Sequence, residues 1–186
     1  MALTASTLPT TGVWELETRH SNVGFTVRSH SIATFRSSFG DVRGEYDADA
    51  RKLSGSARVA SVRTFESLRD RLLEEDFFDG ADHPEISFES TSIDADGDAL
   101  VVEGDLTMKG VTKRVRATGT VLGTAPVYHY RTETVHEHLG IDLELTIDRR
   151  DFGVSFNNEI ANGALNLGWD VTLELSLELF RTDPVE

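Results

Sequence analysis

The sequence predicts an all-β fold, an antiparallel sheet closed into a barrel or folded into a sandwich, with one short helix. Apolar and polar residues alternate with a period of two through most of the chain, as in strands with one buried and one solvated face. Short polar turn sequences separate these segments, which is typical of antiparallel sheets. A single segment, residues 66–75, has helical spacing instead.

The strands are predicted from their apolar alternation. In chain order they lie around residues 23–27, 86–88, 100–106, 111–121, 135–147 and 165–179, with turns at 47–56, 94–98, 109–110 and 162–163. At about 3.3 Å per residue, the last strand would extend roughly 50 Å. We therefore expect a bend or bulge near Gly168, of the kind that the wall of a barrel requires.

The predicted helix begins near Glu66 and places Leu68, Leu72 and Leu73 on one face. Thr64 and Ser67 are both candidate N-caps. The segment continues into two phenylalanines and a glycine stop, Phe77, Phe78 and Gly80.

Composition limits the classes of function. The chain has 186 residues, with 18 Lys and Arg against 32 Asp and Glu, a net charge of −14, and no cysteine. This charge argues against binding to nucleic acid and against tight docking on an anionic membrane face. We expect a flexible leader at residues 1–12, without a secretory signal or transmembrane segment, and one domain at residues 13–182. The predicted location is cytoplasmic.

Catalytic motifs are scarce. His136 and His138 lie on the same face of a predicted strand, where a carboxylate such as Asp142 or Glu144 would complete a metal site. That face is the polar one, so solvent-exposed histidines are the simpler interpretation. The sequence contains no nucleophile elbow, phosphate-binding glycine loop or dinucleotide fingerprint. Binding is therefore favoured over catalysis, and a metal-dependent enzyme that uses the two histidines is the alternative.

Several segments, taken in order, match one pattern that covers the chain from about Trp14 to Phe180. They are Trp14–Leu16 with His20-Ser21 and Phe25–Val27, Ser61–Thr64 with Arg69-Asp70 and Asp76–Asp79, Pro84–Ser90, Gly104–Lys113, and Asp148–Gly153. In these segments the chain resembles the YceI-like family of lipid-binding proteins.

The resemblance implies a lipocalin-like antiparallel eight-stranded β-barrel with a short amphipathic helix near residues 66–78. It also implies an isoprenoid or similar long-chain amphiphile in an elongated pore, and often a homodimer. The chain departs from the family in two respects. Leu72 stands where members often carry a histidine, and the N-terminus lacks the export signal that many members have.

The function expected from this resemblance is non-catalytic binding, storage or transport of an isoprenoid lipid, such as a quinone or polyprenyl compound. No cofactor other than the bound lipid is expected, and no metal. The helix then either covers the mouth of the barrel as a lid or fills its core as a plug. The predicted head-group contacts are Arg69, Arg149 and Arg150, for which surface salt bridges are the competing role. The predicted pore and lid residues, each also a candidate for ordinary core, are Phe25, Leu72, Phe77, Phe78, Phe88, Ile141, Leu143, Phe152, Leu167 and Trp169.

Overall fold

A computed structural model describes residues 7–158 and 165–184 and contains ten strands and one α-helix within those ranges. None of its helices in the described part of the chain has the length and apolar character needed to cross a membrane. The strands are β1 (Val13–Leu16), β2 (Asn22–Ser29), β3 (Ala33–Phe39), β4 (Val42–Asp47), β5 (Lys52–Arg58), β6 (Glu85–Asp96), β7 (Ala99–Met108), β8 (Val111–His129), β9 (Thr134–Asp148) and β10 (Leu167–Arg181), and the helix is α1 (Glu66–Leu72).

The ten strands close an antiparallel barrel with eight positions in its wall. From β4 to β10, skipping α1, each strand pairs with the next one in the chain. β1 and β2 pair with successive parts of the same edge of β10, and β4 and β3 pair with them in turn. The pairing of β1 with both β4 and β10 closes the wall, which confirms the eight-stranded barrel that the resemblance implies.

The long predicted strands are confirmed, and four strands of weaker pattern were missed. β1, β3, β4 and β5 carry too few alternating apolar residues to stand out. The predicted turn at 47–56 is wrong in extent, because the chain turns at 48–51 and Lys52 already starts β5. The expected irregularity near Gly168 is confirmed by a register shift between Leu167 and Val171. The predicted turn at 162–163 lies outside the described residues.

The helix is shorter than predicted. α1 ends at Leu72, and residues 73–80 form successive turns closed by backbone hydrogen bonds such as Phe77 N–H to the Glu74 carbonyl, 3.0 Å. Neither Thr64 nor Ser67 caps it. Phe65 occupies the N-cap position without a side-chain hydrogen bond, so that prediction was wrong. This short helix is therefore stabilised by the packing of Leu68 and Leu72 and not by side-chain capping of its N-terminus.

The barrel has two distinct ends. The helix end carries the β2–β3 turn, α1 and a 3₁₀ turn at Arg149–Phe152, and the hairpin end carries the β4–β5, β6–β7 and β8–β9 turns. At the helix end, β3 has a free edge against which residues 62–63 lie. Arg63 N–H donates to the Ser38 carbonyl at 2.8 Å, and Phe39 forms a bridge with Val62. The chain then enters α1, so the helix closes this side of the barrel.

Candidate functional site

An apolar cavity of about 490 Å³ lies inside the barrel and extends to the helix end. Inward side chains of β2, β9 and β10 form one wall, including Phe25, Leu143 and Leu175. Leu72, at the end of α1, closes it from the opposite side. The volume falls within the range of about 300–1,000 Å³ that is typical of small-molecule sites.

Small residues on β4 and β5 leave this space open. The inward positions of β5 are Leu53, Gly55 and Ala57, and Gly55 pairs with Gly44 of β4. A Cβ atom added at Gly44 would lie 3.5 Å from Leu16 Cβ, an ordinary van der Waals contact. A barrel of eight strands is otherwise just wide enough for its side chains to fill, so the short residues of β4 and β5 create the cavity.

Seven of the ten predicted pore and lid residues line the cavity, and three do not. Ile141 and Phe152 are fully buried elsewhere in the core. Trp169 instead stacks against the guanidinium groups of Arg149 and Arg150, 4.3 and 4.9 Å from its ring centre. The register shift beside it breaks the alternation that predicted an inward side chain. The lining residues among the ten are Phe25, Leu72, Phe77, Phe78, Phe88, Leu143 and Leu167.

Sequence reasoning missed several lining residues. Phe35 and Phe39 of β3 contact Phe25, with ring centres 6.2 and 5.6 Å apart, and Phe156 stacks on Phe77 at 4.7 Å. Phe35 and Phe39 sit in a strand that is half serine, threonine and arginine, and Phe156 lies in a loop. The one available signal was their aromatic character.

Arg71 fastens the turns after α1. Its guanidinium donates to both carboxylate oxygens of Asp76, at 2.6 and 2.7 Å, and lies 4.6 Å from the ring centres of Phe77 and Phe156. The hydrogen bond from Arg71 lowers the pKa of the Asp76 carboxyl, although partial burial opposes the shift. The Asp76 carbonyl accepts from the Phe156 backbone at 3.0 Å. Arg71 thus connects the turn that carries Asp76 and Phe77 with Phe156, in the loop after the 3₁₀ turn.

Arg149 is the buried cation of the cavity. Its side chain donates to the carbonyls of Gly168, Val154 and Leu167 at 2.8, 2.9 and 3.2 Å, and it forms no ion pair with any residue in the described ranges. Burial lowers the pKa of Arg149 to about 10 despite the favourable charge of Asp148. The group therefore stays cationic at neutral pH while lining an apolar cavity.

The other two predicted head-group residues lie away from the cavity lining. Arg150 is exposed and paired with Asp148, and the hydrogen bond between them raises the pKa of Arg150. Arg69 is half-buried on α1. Of the three predicted arginines, Arg149 alone lines the cavity, where Arg71, which was not predicted, joins it.

His136 and His138 are buried, contrary to the expectation that they face solvent. Both lie on the outer face of β9, but Phe180 and His129 cover them, with ring-centre distances of 5.5 to 6.1 Å. Glu17 is 1% exposed and accepts from His129 at 3.0 Å. This polar cluster lies outside the barrel, on one face of the β8–β9 hairpin.

The cluster does not have the geometry of a metal site. Both ring nitrogens of His136 are engaged, by the Arg181 carbonyl at 2.7 Å and by the hydroxyls of Thr132 and Thr134. His138 binds Glu178 through Nδ1 at 2.6 Å. Across residues 7–158 and 165–184, no three His, Asp or Glu side chains are placed to hold a metal ion. The geometry gives no support to the metal-dependent alternative.

Comparison with known proteins agrees with this architecture. The model of the YceI-like domain matches residues 14–179. The chain belongs to the YceI-like family. Among curated relatives, a UPF0312 protein of Pectobacterium atrosepticum is 28% identical over 163 residues, 83% of this chain and 81% of that protein. Protein YceI of Escherichia coli O157:H7 is 34% identical over 113 residues, 58% of this chain and 59% of that protein.

Solved structures share the YceI-like barrel at low sequence identity. BcnA of Burkholderia cenocepacia superposes with a TM-score of 0.70 at 21% identity, covering 88% of this chain and 98% of BcnA. A polyisoprenoid-binding domain from Saccharophagus degradans gives a TM-score of 0.66 at 13% identity, covering 90% and 98%. At these identities the superpositions support the fold of the chain.

Proposed function

We propose that this YceI-like protein binds an isoprenoid lipid, such as a quinone or a polyprenyl compound, and stores or carries it without catalysis. The observation that carries the proposal is the apolar cavity inside a closed barrel, lined by Phe25, Phe88 and the helix segment. A family neighbour of the same fold is described as polyisoprenoid-binding. An apolar tail matches the lining, and the scarcity of catalytic motifs favours binding.

The energetics favour a long tail over a short one. Each buried methylene contributes about 0.8 kcal/mol relative to water. Relative to a bilayer most of that gain vanishes, because the acyl region is equally apolar. Selectivity among lipids must therefore come from the shape of the cavity and from polar contacts.

Arg149 is the residue we assign to the polar end of the lipid. Its guanidinium has five N–H donors, and three backbone carbonyls account for three of them. The remaining donors and the positive charge suit an acceptor group such as a quinone carbonyl or a phosphate. The lipid would then lie with its head toward the helix end, where Arg149 and Leu167 line the cavity.

Filling the cavity tests the proposal. Ala57 is buried and lines the cavity, so Ala57→Phe places a ring where the tail would lie. We expect ubiquinone affinity to fall about tenfold or more, because each methylene of the tail that the ring displaces loses about 0.8 kcal/mol of burial. Ubiquinone that co-elutes with the protein in gel filtration, quantified by its absorbance, is the measurement.

Ala60→Phe is the matched control, because Ala60 is exposed and lies outside the cavity lining. It should take up ubiquinone like the wild type. Equal uptake by a folded Ala57→Phe variant would contradict a tail site in this cavity.

A further inference from the structure

The rim of the helix end exposes two large apolar side chains. Ile32 is 86% exposed and Phe65 67%, the highest values for large hydrophobic residues in the described part of the chain. Large exposed apolar patches mark protein or membrane interaction sites, whereas single exposed apolar residues are ordinary. Both belong to segments that also line the cavity.

Ile32 stands at the tip of a tight turn beside the cavity. His30 and Ser31 both adopt left-handed backbone conformations, with φ of 51° and 61°, and Ile32 N–H donates to the Ser29 carbonyl. His30 N–H donates to the Asn166 carbonyl at 2.8 Å. Because Ser29 and Asn166 line the cavity, the turn holds Ile32 outward at the cavity's end.

Phe65 lies beside the free edge of β3, the strand that follows that turn. Ser37 Oγ donates to the Arg63 carbonyl at 3.0 Å, which fixes the chain just before Phe65 beside β3. Phe65 is the N-cap of α1, and three residues later Leu68 lines the cavity, as Phe35 does from β3. The rim surface, defined as Ile32, Phe65 and the exposed Arg28, Arg36 and Arg63 along β2, β3 and the segment beside them, therefore borders the cavity on its helix side.

The rim surface carries exposed arginines in an otherwise acidic protein, with Glu66 of α1 as a neighbouring carboxylate. Residues 22–40 contain no Asp or Glu, although the chain has 32 of them. Arg28, Arg36 and Arg63 are exposed there and form no ion pair within the described ranges. Screening over a Debye length of about 10 Å separates this surface from distant carboxylates. The net charge of −14 argues against membrane docking for the protein as a whole. The local charge of this face differs from that average.

We propose that the rim surface docks on an anionic lipid bilayer. Ile32 and Phe65 enter the boundary between head groups and acyl chains, and Arg28, Arg36 and Arg63 pair with lipid phosphates. Docked in this way, the helix end faces the membrane, so a lipid tail passes between cavity and bilayer with little exposure to water. The inference rests on the proposed lipid-binding function and names the surface through which the lipid is exchanged.

Vesicle flotation tests the docking surface directly. The purified protein is mixed with phosphatidylcholine vesicles, with or without phosphatidylglycerol. We expect it to float with the phosphatidylglycerol vesicles and not with phosphatidylcholine alone. Arg36→Gln with Arg63→Gln should weaken binding about fivefold for each arginine, since one basic residue near such a surface is worth about 1 kcal/mol. Ile32→Ser with Phe65→Ser should abolish it.

Tyr128→Ser with Val135→Ser is the matched control, because these side chains are 63% and 40% exposed at the opposite end of the barrel. This variant should float like the wild type. Retention of flotation in the Ile32→Ser with Phe65→Ser variant would overturn the proposal, as would a wild type that ignores both vesicles.

Lipid extraction from the same samples separates the two proposals. A protein that carries lipid but ignores vesicles contradicts the docking surface and leaves the cavity assignment intact. A protein that floats but carries no lipid, and takes up no ubiquinone, contradicts the proposed function. The rim variants should keep their lipid, because Ile32 and Phe65 do not line the cavity.

Discussion

Glu17 is the most consequential buried charge outside the cavity. Its carboxylate accepts from the Arg19 backbone N–H at 2.9 Å and from His129 at 3.0 Å, and Arg131 lies 3.8 Å away. Burial acts to raise the pKa of Glu17, but these hydrogen bonds and positive charges together lower it. The ionised carboxylate therefore stabilises the packing of the β8–β9 hairpin against β1.

The pH dependence of stability follows from the direction of that shift. A carboxyl with a lowered pKa in the folded state contributes stability above its unfolded pKa, near 4.5, and loses it as the pH falls through the folded value. Glu17→Gln should therefore cost about 2 kcal/mol at pH 7 and reduce the loss of stability on acidification. Urea unfolding at several pH values measures both effects.

Glu15→Gln provides the control, because Glu15 is exposed on β1, two residues before Glu17. Its unfolding midpoint should match that of the wild type at neutral pH. If Glu17→Gln lost stability on acidification as steeply as the wild type, the assigned role of Glu17 would be wrong.

The histidines show what alternation in a sequence can and cannot predict. It correctly places His136 and His138 on the face opposite Leu139 and Ile141. It does not predict that His129 of β8 and Phe180 of β10 pack over that face, where β8 and β9 extend toward their turn. Burial outside a barrel depends on tertiary packing that no local period encodes.

At the scale of elements, α1 and the turns after it form a closure of the cavity held by a few polar contacts. Arg71 binds Asp76 and Glu74, and Lys109 Nζ donates to the Glu75 and Gly153 carbonyls. Leu72, Phe77 and Phe78 supply its apolar face. The helix thus lies at the barrel's end in the position of a lid and also contributes to its core.

Loosening this closure should speed lipid exchange. Arg71→Gln removes the two hydrogen bonds to Asp76 and the contact with Phe77 and Phe156. We expect ubiquinone to dissociate about fivefold faster, equivalent to about 1 kcal/mol for a partly exposed pair. The rate is measured by stopped-flow as the rise in protein fluorescence when ubiquinone, which quenches it while bound, passes from the protein to excess vesicles.

Arg69→Gln is the control for this rate, since Arg69 lies on the same helix and forms no described ion pair. It should exchange ubiquinone at the wild-type rate. Equal acceleration in both variants would indicate a general loss of helix stability and not a specific effect of the Arg71–Asp76 ion pair.

The elements also differ in how well the sequence predicts them. β9 and β10 alternate over 15 residues each, so hydrophobic period alone reveals them. β5 reads KLSGSAR and carries almost no apolar signal, because its inward positions leave the cavity open. The strand whose small inward residues leave the cavity open was therefore not predicted.

At the scale of the whole molecule, the barrel and its family were predictable, and the cavity was predictable in part. The motif segments span nearly the whole chain, and seven of ten proposed residues line one cavity. Trp169 lies outside the cavity lining, beside a local register shift in β10. A homodimer and a cytoplasmic location stay predictions.

Native mass spectrometry of the purified, intact protein, followed by release and identification of any bound molecule, would show whether the cavity holds a lipid. We expect one isoprenoid lipid bound per chain in the wild type and its loss in Ala57→Phe. A bare chain that takes up neither ubiquinone nor a polyprenol offered in excess would contradict the account, and the barrel would then have another role.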